Sequence, residues 1–145
     1  MPTNLGRPFS IDWRGRPPHM LLPDVPVWYR FLTKMRGAFL NLYYDSFLGG
    51  PTLTPQEETD AMKRMWRANT AKRTDAIVET EDEVWIIEVA SYPGMRAVGQ
   101  LYTYQALWME DPKIMKPERK VLVCERLDED IGAACGKFGF QVYIV

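Results

Sequence analysis

The sequence holds little histidine and cysteine, the side chains that most often bind transition metals or act as nucleophiles. Its one histidine, His19, follows two prolines and has no cysteine or carboxylate cluster beside it, so we assign it no role. The two cysteines form no CxxC motif; Cys124 lies in an apolar run and Cys135 in a predicted helix. Because lone cysteines of this kind usually pack rather than react, we expect both to be reduced core residues.

An excess of charge and long apolar runs are also missing. The 18 basic and 19 acidic side chains leave a formal net charge of −1, so no whole-protein field draws in nucleic acid or an anionic membrane. No apolar run approaches the ~18 residues that span a bilayer, and residues 1–15 lack the hydrophobic stretch of a signal peptide. We therefore expect a protein of the cytoplasm or of a virion, not secreted by a signal peptide and without a membrane partner.

Apolar residues, in contrast, are plentiful. They make up 46% of the 145 residues, enough for a single domain with its own core. Their spacing predicts two helices, a hairpin, and then helices alternating with strands, an order typical of α/β proteins. The predicted elements are a helix that starts at Pro26 and ends before Gly49-Gly50-Pro51, a helix that starts at Thr54 with Glu57 completing a capping box, strands over 74–80 and 84–90, a helix over 95–109, a strand over 121–124, a helix over 128–139 and a strand over 140–145.

Residues 1–26 differ from the rest because prolines recur through them. Proline fixes φ and removes a backbone donor, so this segment is predicted to be an extended arm rather than a helix or a central strand. The arm is either a mobile tail or a segment held by its own domain or by a neighbour, and residues 27–145 form the α/β domain. The residues of the arm that are candidates for binding a protein partner are Arg7, Trp13, Arg14 and Arg16.

Two acidic residues lie on the predicted hairpin, Asp75 on its first strand and Glu88 near the end of its second. If the strands pair, the carboxylates converge at one edge of the sheet, where they offer the hard oxygen ligands that a metal-dependent phosphodiesterase needs. Two residues after Glu88, where a lysine would orient and help deprotonate the attacking water, the sequence has Ala90. Gln100 and Tyr104 follow on the next predicted helix as a QxxxY pattern.

This arrangement resembles the PD-(D/E)XK (restriction-endonuclease-like) superfamily, and within it the RecB-like branch, in which a helical QxxxY follows the ExK strand. The resemblance covers residues 73–145 and a preceding helix, and it implies a mixed sheet flanked by helices. It implies that Asp75 and Glu88 correspond to metal ligands and that Gln100 and Tyr104 occupy the positions that contact nucleic acid. With Ala90 in place of the lysine the site is degenerate, so Mg²⁺ or Mn²⁺ is expected only if the chain is an active enzyme.

Ordinary structural roles stay open for the same residues. Asp75 can be a strand-end residue paired with Lys72 or Arg73. Gln100 and Tyr104 can be helix-packing residues rather than ligands.

A cluster of basic residues precedes the hairpin directly. It is either a solvated face or a surface that contacts phosphates. This basic cluster comprises Lys63, Arg64, Arg67, Lys72 and Arg73.

Three hypotheses for function follow. Ala90, the balanced charge and the arm favour a catalytically inactive nuclease fold that acts as a structural or assembly component. Such a component would have protein partners in an oligomer, for example in a tailed-phage virion near the head–tail junction. The alternatives are an active, divergent, metal-dependent DNA nuclease and a nucleic-acid-binding module without catalysis.

Overall fold

The computed structural model of the chain describes residues 3–145, and over these residues it shows an α/β structure built on a six-stranded mixed sheet. The strands are β1 (Pro8–Phe9), β2 (Asn41–Tyr43), β3 (Phe47–Leu48), β4 (Lys72–Arg73), β5 (Ala76–Glu79), β6 (Val84–Ala90), β7 (Glu118–Cys124) and β8 (Gln141–Ile144). The helices are α1 (Val25–Lys34), α2 (Ala61–Thr70), α3 (Met95–Glu110) and α4 (Glu129–Lys137), with short 3₁₀ helices at Leu22–Asp24 and Glu57–Thr59. Over the same residues, no helix is long and apolar enough to cross a membrane.

The large sheet has the strand order β1-β2-β5-β6-β7-β8. β5 and β6 pair antiparallel, which confirms the predicted hairpin, whereas β7 and β8 run parallel to β6. Much of β6 and the second half of β7 are continuous apolar runs, because helices cover both faces of the sheet here and bury both sets of alternating side chains. β3 and β4 form a separate two-stranded sheet.

Each face of the large sheet buries its own apolar cluster. α1 packs on one face, where Trp28 and Phe31 are fully buried against one set of strand side chains. α3 and α4 pack on the other face, where Leu101 and Cys135 meet the alternate set. Cys135 and Cys124 are both buried and free, as the sequence analysis predicted.

The first predicted helix is wrong beyond residue 34. α1 ends at Lys34, and the chain turns at Gly37 with a φ of 85° before it continues as strands. Leu42 and Tyr43 were predicted at helical spacing. The structure shows instead the two-residue alternation of a strand, in which Leu42 and Tyr44 are buried and Tyr43 between them is half-buried. Leu42 pairs with Val78 of β5, so tertiary pairing decided the structure of this segment.

The second predicted helix begins later than its capping signal indicated. The capping box forms, since Thr54 N–H donates to Glu57 Oε1 at 3.1 Å and Glu57 N–H donates to Thr54 Oγ1 at 3.2 Å. It closes the turn that leads into the 3₁₀ helix rather than into α2. The N-cap of α2 is Asp60, whose Oδ1 accepts from Met62 N–H at 2.9 Å.

The arm packs against its own domain. Its β1 adds an edge strand to β2, and Met20 is 1% exposed in the cluster under α1. Trp13 lies 5.0 Å from the Phe9 ring and 5.8 Å from the Tyr44 ring, measured between centroids. A segment with such contacts is ordered by apolar burial within one chain.

The residues of the arm that were predicted to bind a partner fall into two groups, three with contacts inside the chain and one that is exposed. Arg14 donates to the carbonyl of Ile11 at 2.6 Å, and Arg16 Nε donates to the carbonyl of Met20 at 3.5 Å. With Trp13 partly buried against Phe9 and Tyr44, these three side chains make contacts inside the chain. Arg7 is exposed, and a grip by any of them on a partner stays a prediction.

Candidate functional site

A cavity of about 340 Å³ opens at the C-terminal end of β6. Its walls come from the arm, the hairpin and α3, so it gathers side chains from distant parts of the chain. All four residues of the predicted site line it. The polar residues of this carboxylate cavity are His19, Asp24, Arg73, Asp75, Glu88, Arg96, Gln100 and Tyr104.

The register of the hairpin brings the two predicted carboxylates together. Ala76 pairs with Ile87, so the residues one step outward, Asp75 and Glu88, lie across from each other. Val89 N–H donates to Asp75 Oδ2 at 2.8 Å, which fixes the aspartate at the mouth of the hairpin. Convergence of Asp75 and Glu88, expected from the sequence, is therefore confirmed.

The two carboxyl groups are placed to share a proton. Glu88 is 7% exposed, and burial raises the pKa of its carboxyl to about 10, with the hydrogen bond to Asp75 and the aspartate's charge adding to the effect. Burial also raises the pKa of Asp75, and the hydrogen bonds from Glu88 and from Val89 N–H partly offset this. Burial beside Asp75 therefore favours the protonated form of Glu88 at neutral pH, in which Glu88 can donate to Asp75.

The carboxylate pair also has an oxygen available to a cation. Glu88 Oε2 is buried and receives no hydrogen bond from the residues that the structure describes. A hard divalent ion such as Mg²⁺ binds oxygen ligands and keeps several waters, so Asp75 and Glu88 fit it as a two-carboxylate ligand set once the shared proton leaves. Residues 3–145 contain no group of three or more histidine, cysteine or acidic side chains arranged to hold a metal.

A third carboxylate, Asp24, was missed in the sequence analysis. It is 9% exposed at the end of the 3₁₀ helix Leu22–Asp24, and its Oδ1 accepts from Ser91 N–H at 3.0 Å and from Ser91 Oγ at 3.1 Å. Its negative charge contributes to raising the pKa values of both Asp75 and Glu88. Asp24 therefore ties the arm to the end of β6 and makes the cavity more acidic.

The lysine position of the resemblance faces this cavity. Ala90, the last residue of β6, is part of the lining next to Glu88. The cations among the described lining residues are Arg73 and Arg96. Lys72, the lysine nearest to Asp75 in sequence, is exposed on β4 and donates to the carbonyl of Thr70 at 3.0 Å.

His19, to which the sequence assigns no role, lies in the wall of the carboxylate cavity. His19 Nε2 lies 2.7 Å from Asp45 Oδ1, and one guanidinium nitrogen of Arg73 lies 3.1 Å from His19 Nδ1 and 3.0 Å from Nε2. These partners are far from His19 along the chain, so sequence spacing gave no signal for them. Arg73 is in this way held over the cavity by the arm.

The QxxxY pair reaches the same cavity from α3. Gln100 is half-buried and Tyr104 is 6% exposed, one turn apart on the helix. Burial raises the pKa of the Tyr104 hydroxyl, and the neighbouring carboxyl groups of Glu88 and Asp75 raise it further. Tyr104 therefore presents a neutral hydroxyl in the cavity wall.

The structure separates the predicted basic cluster into two places. Arg73 alone enters the carboxylate cavity. Arg64 and Arg67 line a different cavity of about 450 Å³, and Arg64 donates to the carbonyl of Glu58 at 2.6 Å. Lys63 Nζ lies 3.7 Å from a Glu57 carboxylate oxygen, so the cluster does not form one continuous surface over the cavity.

The chain matches no known protein-family model, no curated protein and no solved structure.

Proposed function

We propose that this chain is a catalytically inactive domain of the PD-(D/E)XK nuclease-like fold that serves as a structural component of a protein assembly. The observation that carries the proposal is Ala90 in the wall of the carboxylate cavity. The catalysis that this constellation implies needs a lysine at that point to orient and deprotonate water. Arg73 and Arg96 are poor substitutes, because a guanidinium stays protonated at all physiological pH values.

The architecture supports the proposed fold. The mixed sheet contains the hairpin that carries Asp75 and Glu88. A helix precedes this hairpin along the chain, and the helix that follows it carries Gln100 and Tyr104. This is the order of elements on which the resemblance rests. The likeness is one of fold and site layout, and function is argued from the site itself.

The lining of the carboxylate cavity supports the inactive half. Its described cations are Arg73 and Arg96, and none of its described residues is a lysine. Metal binding to Glu88 must also displace the proton that burial beside Asp75 favours, an effect that Arg96 only partly offsets.

One observation favours a second candidate, an active metal-dependent DNA nuclease. Glu88 Oε2 is buried and receives no hydrogen bond from the described residues, which is what a ligand oxygen looks like without its cation. Asp75 and Glu88 would hold the ion, which would supply Lewis-acid activation of water. In that case Arg73 and Arg96 would orient phosphate oxygens.

A cleavage assay separates the two candidates. Purified wild type, Asp75→Ala and Glu88→Ala are incubated with Mn²⁺ or Mg²⁺ and labelled single- and double-stranded DNA. The proposal expects equal, background-level cleavage from all three proteins. Cleavage by the wild type that is lost in both variants, with their folding intact by circular dichroism, would establish the nuclease instead.

A further inference from the structure

α2 is poorly covered by its own domain. Every residue of this 10-residue helix is exposed or half-exposed, and the exposed fractions of Met62, Met65 and Trp66 are 79%, 64% and 50%. Spacings of three and four place these apolar side chains on one side of the helix. A helix this short is marginal in water without tertiary packing, so it gains most from a surface that covers its apolar side.

The same helix is basic. It carries Lys63, Arg64 and Arg67, and its sequence has no acidic residue. Lys63 Nζ lies 5.4 Å from the centre of the Trp66 ring, which puts a positive charge at the edge of the apolar side. A surface that covers α2 must therefore be apolar in its middle and acidic at its rim.

A groove among the described residues has that chemistry. It lies between the segment after β6 and the first turn of α4, and its cavity volume is about 420 Å³. Its apolar part includes Tyr92 and Met95, which are 56% and 83% exposed, and its rim carries Asp128 and Asp130. The Arg126 guanidinium lies 4.6 Å from the centre of the Tyr92 ring, so the two aspartates are partly balanced and the groove keeps a net negative charge. The dipole of α4 favours negative charge at this end of the helix. We refer to it as the acidic groove.

The other apolar cavity of similar character suits α2 less well. It has a volume of about 290 Å³ and lies between Met109 and Met115, with Lys116 and Glu118 in its wall. Its charges are mixed, so it offers a basic helix no net attraction. Charge complementarity thus selects the acidic groove.

We propose that α2 of one copy of the chain docks into the acidic groove of a second copy. Trp66 and Met62 cover Met95 and the part of Tyr92 that Arg126 leaves exposed, and Lys63 faces Asp130. The C-terminal end of α2 is anchored to its own domain, because β4 begins two residues after Thr70 and pairs with β3.

The proposal rests on the assembly role proposed above and names the partner as a second copy of this chain. Helix and groove share no residue, so each copy offers both surfaces. The contact closes either as a reciprocal pair or as a ring.

Sedimentation velocity of the full chain, from micromolar to sub-millimolar concentration, tests the proposal. Wild type is expected to show a mass that rises with concentration toward a closed oligomer. Trp66→Ala is expected to raise the dissociation constant roughly thirtyfold, as truncation of a buried aromatic anchor does. Lys63→Glu and Asp130→Lys should each weaken association about tenfold, and the double charge reversal should recover most of the loss.

Lys34→Glu is the matched control, because it makes the same charge change on the exposed end of α1 and should leave association unchanged. Thermal unfolding of each variant shows that its fold is intact. A wild type that stays monomeric throughout, or association that Lys63→Glu and Trp66→Ala leave unchanged, overturns the proposal. So does a monomer that binds labelled duplex DNA through Lys63, which would assign α2 to nucleic acid. None of these outcomes bears on cleavage, so the inactive-site proposal is judged separately.

Discussion

Replacing Glu88 with glutamine should change how the stability of this protein depends on pH. In the folded chain Glu88 keeps its proton up to a pKa of about 10, whereas the ordinary value is 4.5. Between these values the folded state binds one proton that the unfolded state has released. Stability is therefore highest at low pH in this window and falls as pH rises.

The size of the effect follows from that proton. One proton corresponds to about 1.4 kcal/mol per pH unit, so the free energy of unfolding should fall by up to about 2.7 kcal/mol between pH 6 and pH 8. Glu88→Gln has nearly the same shape as the protonated side chain and its amide can still donate to Asp75. The variant should lose this slope and be more stable than the wild type at pH 8.

Urea denaturation followed by tryptophan fluorescence at pH 6, 7 and 8 measures the slope. Glu79→Gln is the control, because hydrogen bonds from Lys116 and Asn41 lower the pKa of Glu79, which is then ionised across this range. Glu79→Gln should keep the wild-type slope. Equal slopes in wild type and Glu88→Gln would refute the shared proton.

Two further predictions concern packing. Met20→Ala should destabilise the protein by about 2–5 kcal/mol, because Met20 is 1% exposed in the core, whereas Leu21→Ala beside it, at a residue 68% exposed, should cost less than about 0.5 kcal/mol. Denaturant unfolding measures both, and similar small losses would contradict docking of the arm in cis. Tyr44→Phe should cost about 1–3 kcal/mol, because it leaves the buried Trp28 indole N–H without the hydroxyl that accepts it at 2.7 Å. A loss well below that in the same assay would mean that this hydrogen bond adds nothing to stability.

The sequence predicted the second half of the fold well. The hairpin, α3, β7, α4 and β8 follow local signals, namely strand-length apolar runs, a Pro93-Gly94 break and acidic residues at the start of α4. These signals are local, and the tertiary structure agrees with each of them. Convergence of Asp75 and Glu88 followed because an antiparallel hairpin fixes which residues face each other.

The structure of residues 35–48 could not be predicted from local signals. Helical and strand spacings coincide for Leu42 and its neighbours over so few residues, and pairing with Val78 decided between them. The site contributions of His19 and Asp24 were missed for a related reason. Their partners, Asp45 and Ser91, lie far along the chain, and only the packing of the arm brings them together. Placement in a tailed-phage virion stays a prediction from the sequence.

We propose that Ala90 leaves the carboxylate cavity without catalysis. A comparison of wild type with Ala90→Lys on the same labelled duplex DNA, with Mg²⁺ or Mn²⁺, tests this role of Ala90. Ala90 lines the cavity, so a lysine there can reach the carboxylates, and its charge lowers the pKa of Glu88. We expect an inactive wild type and cleavage gained by Ala90→Lys, lost again when Asp75→Ala is added. Cleavage by the wild type at a rate equal to that of Ala90→Lys would show that Ala90 does not abolish catalysis.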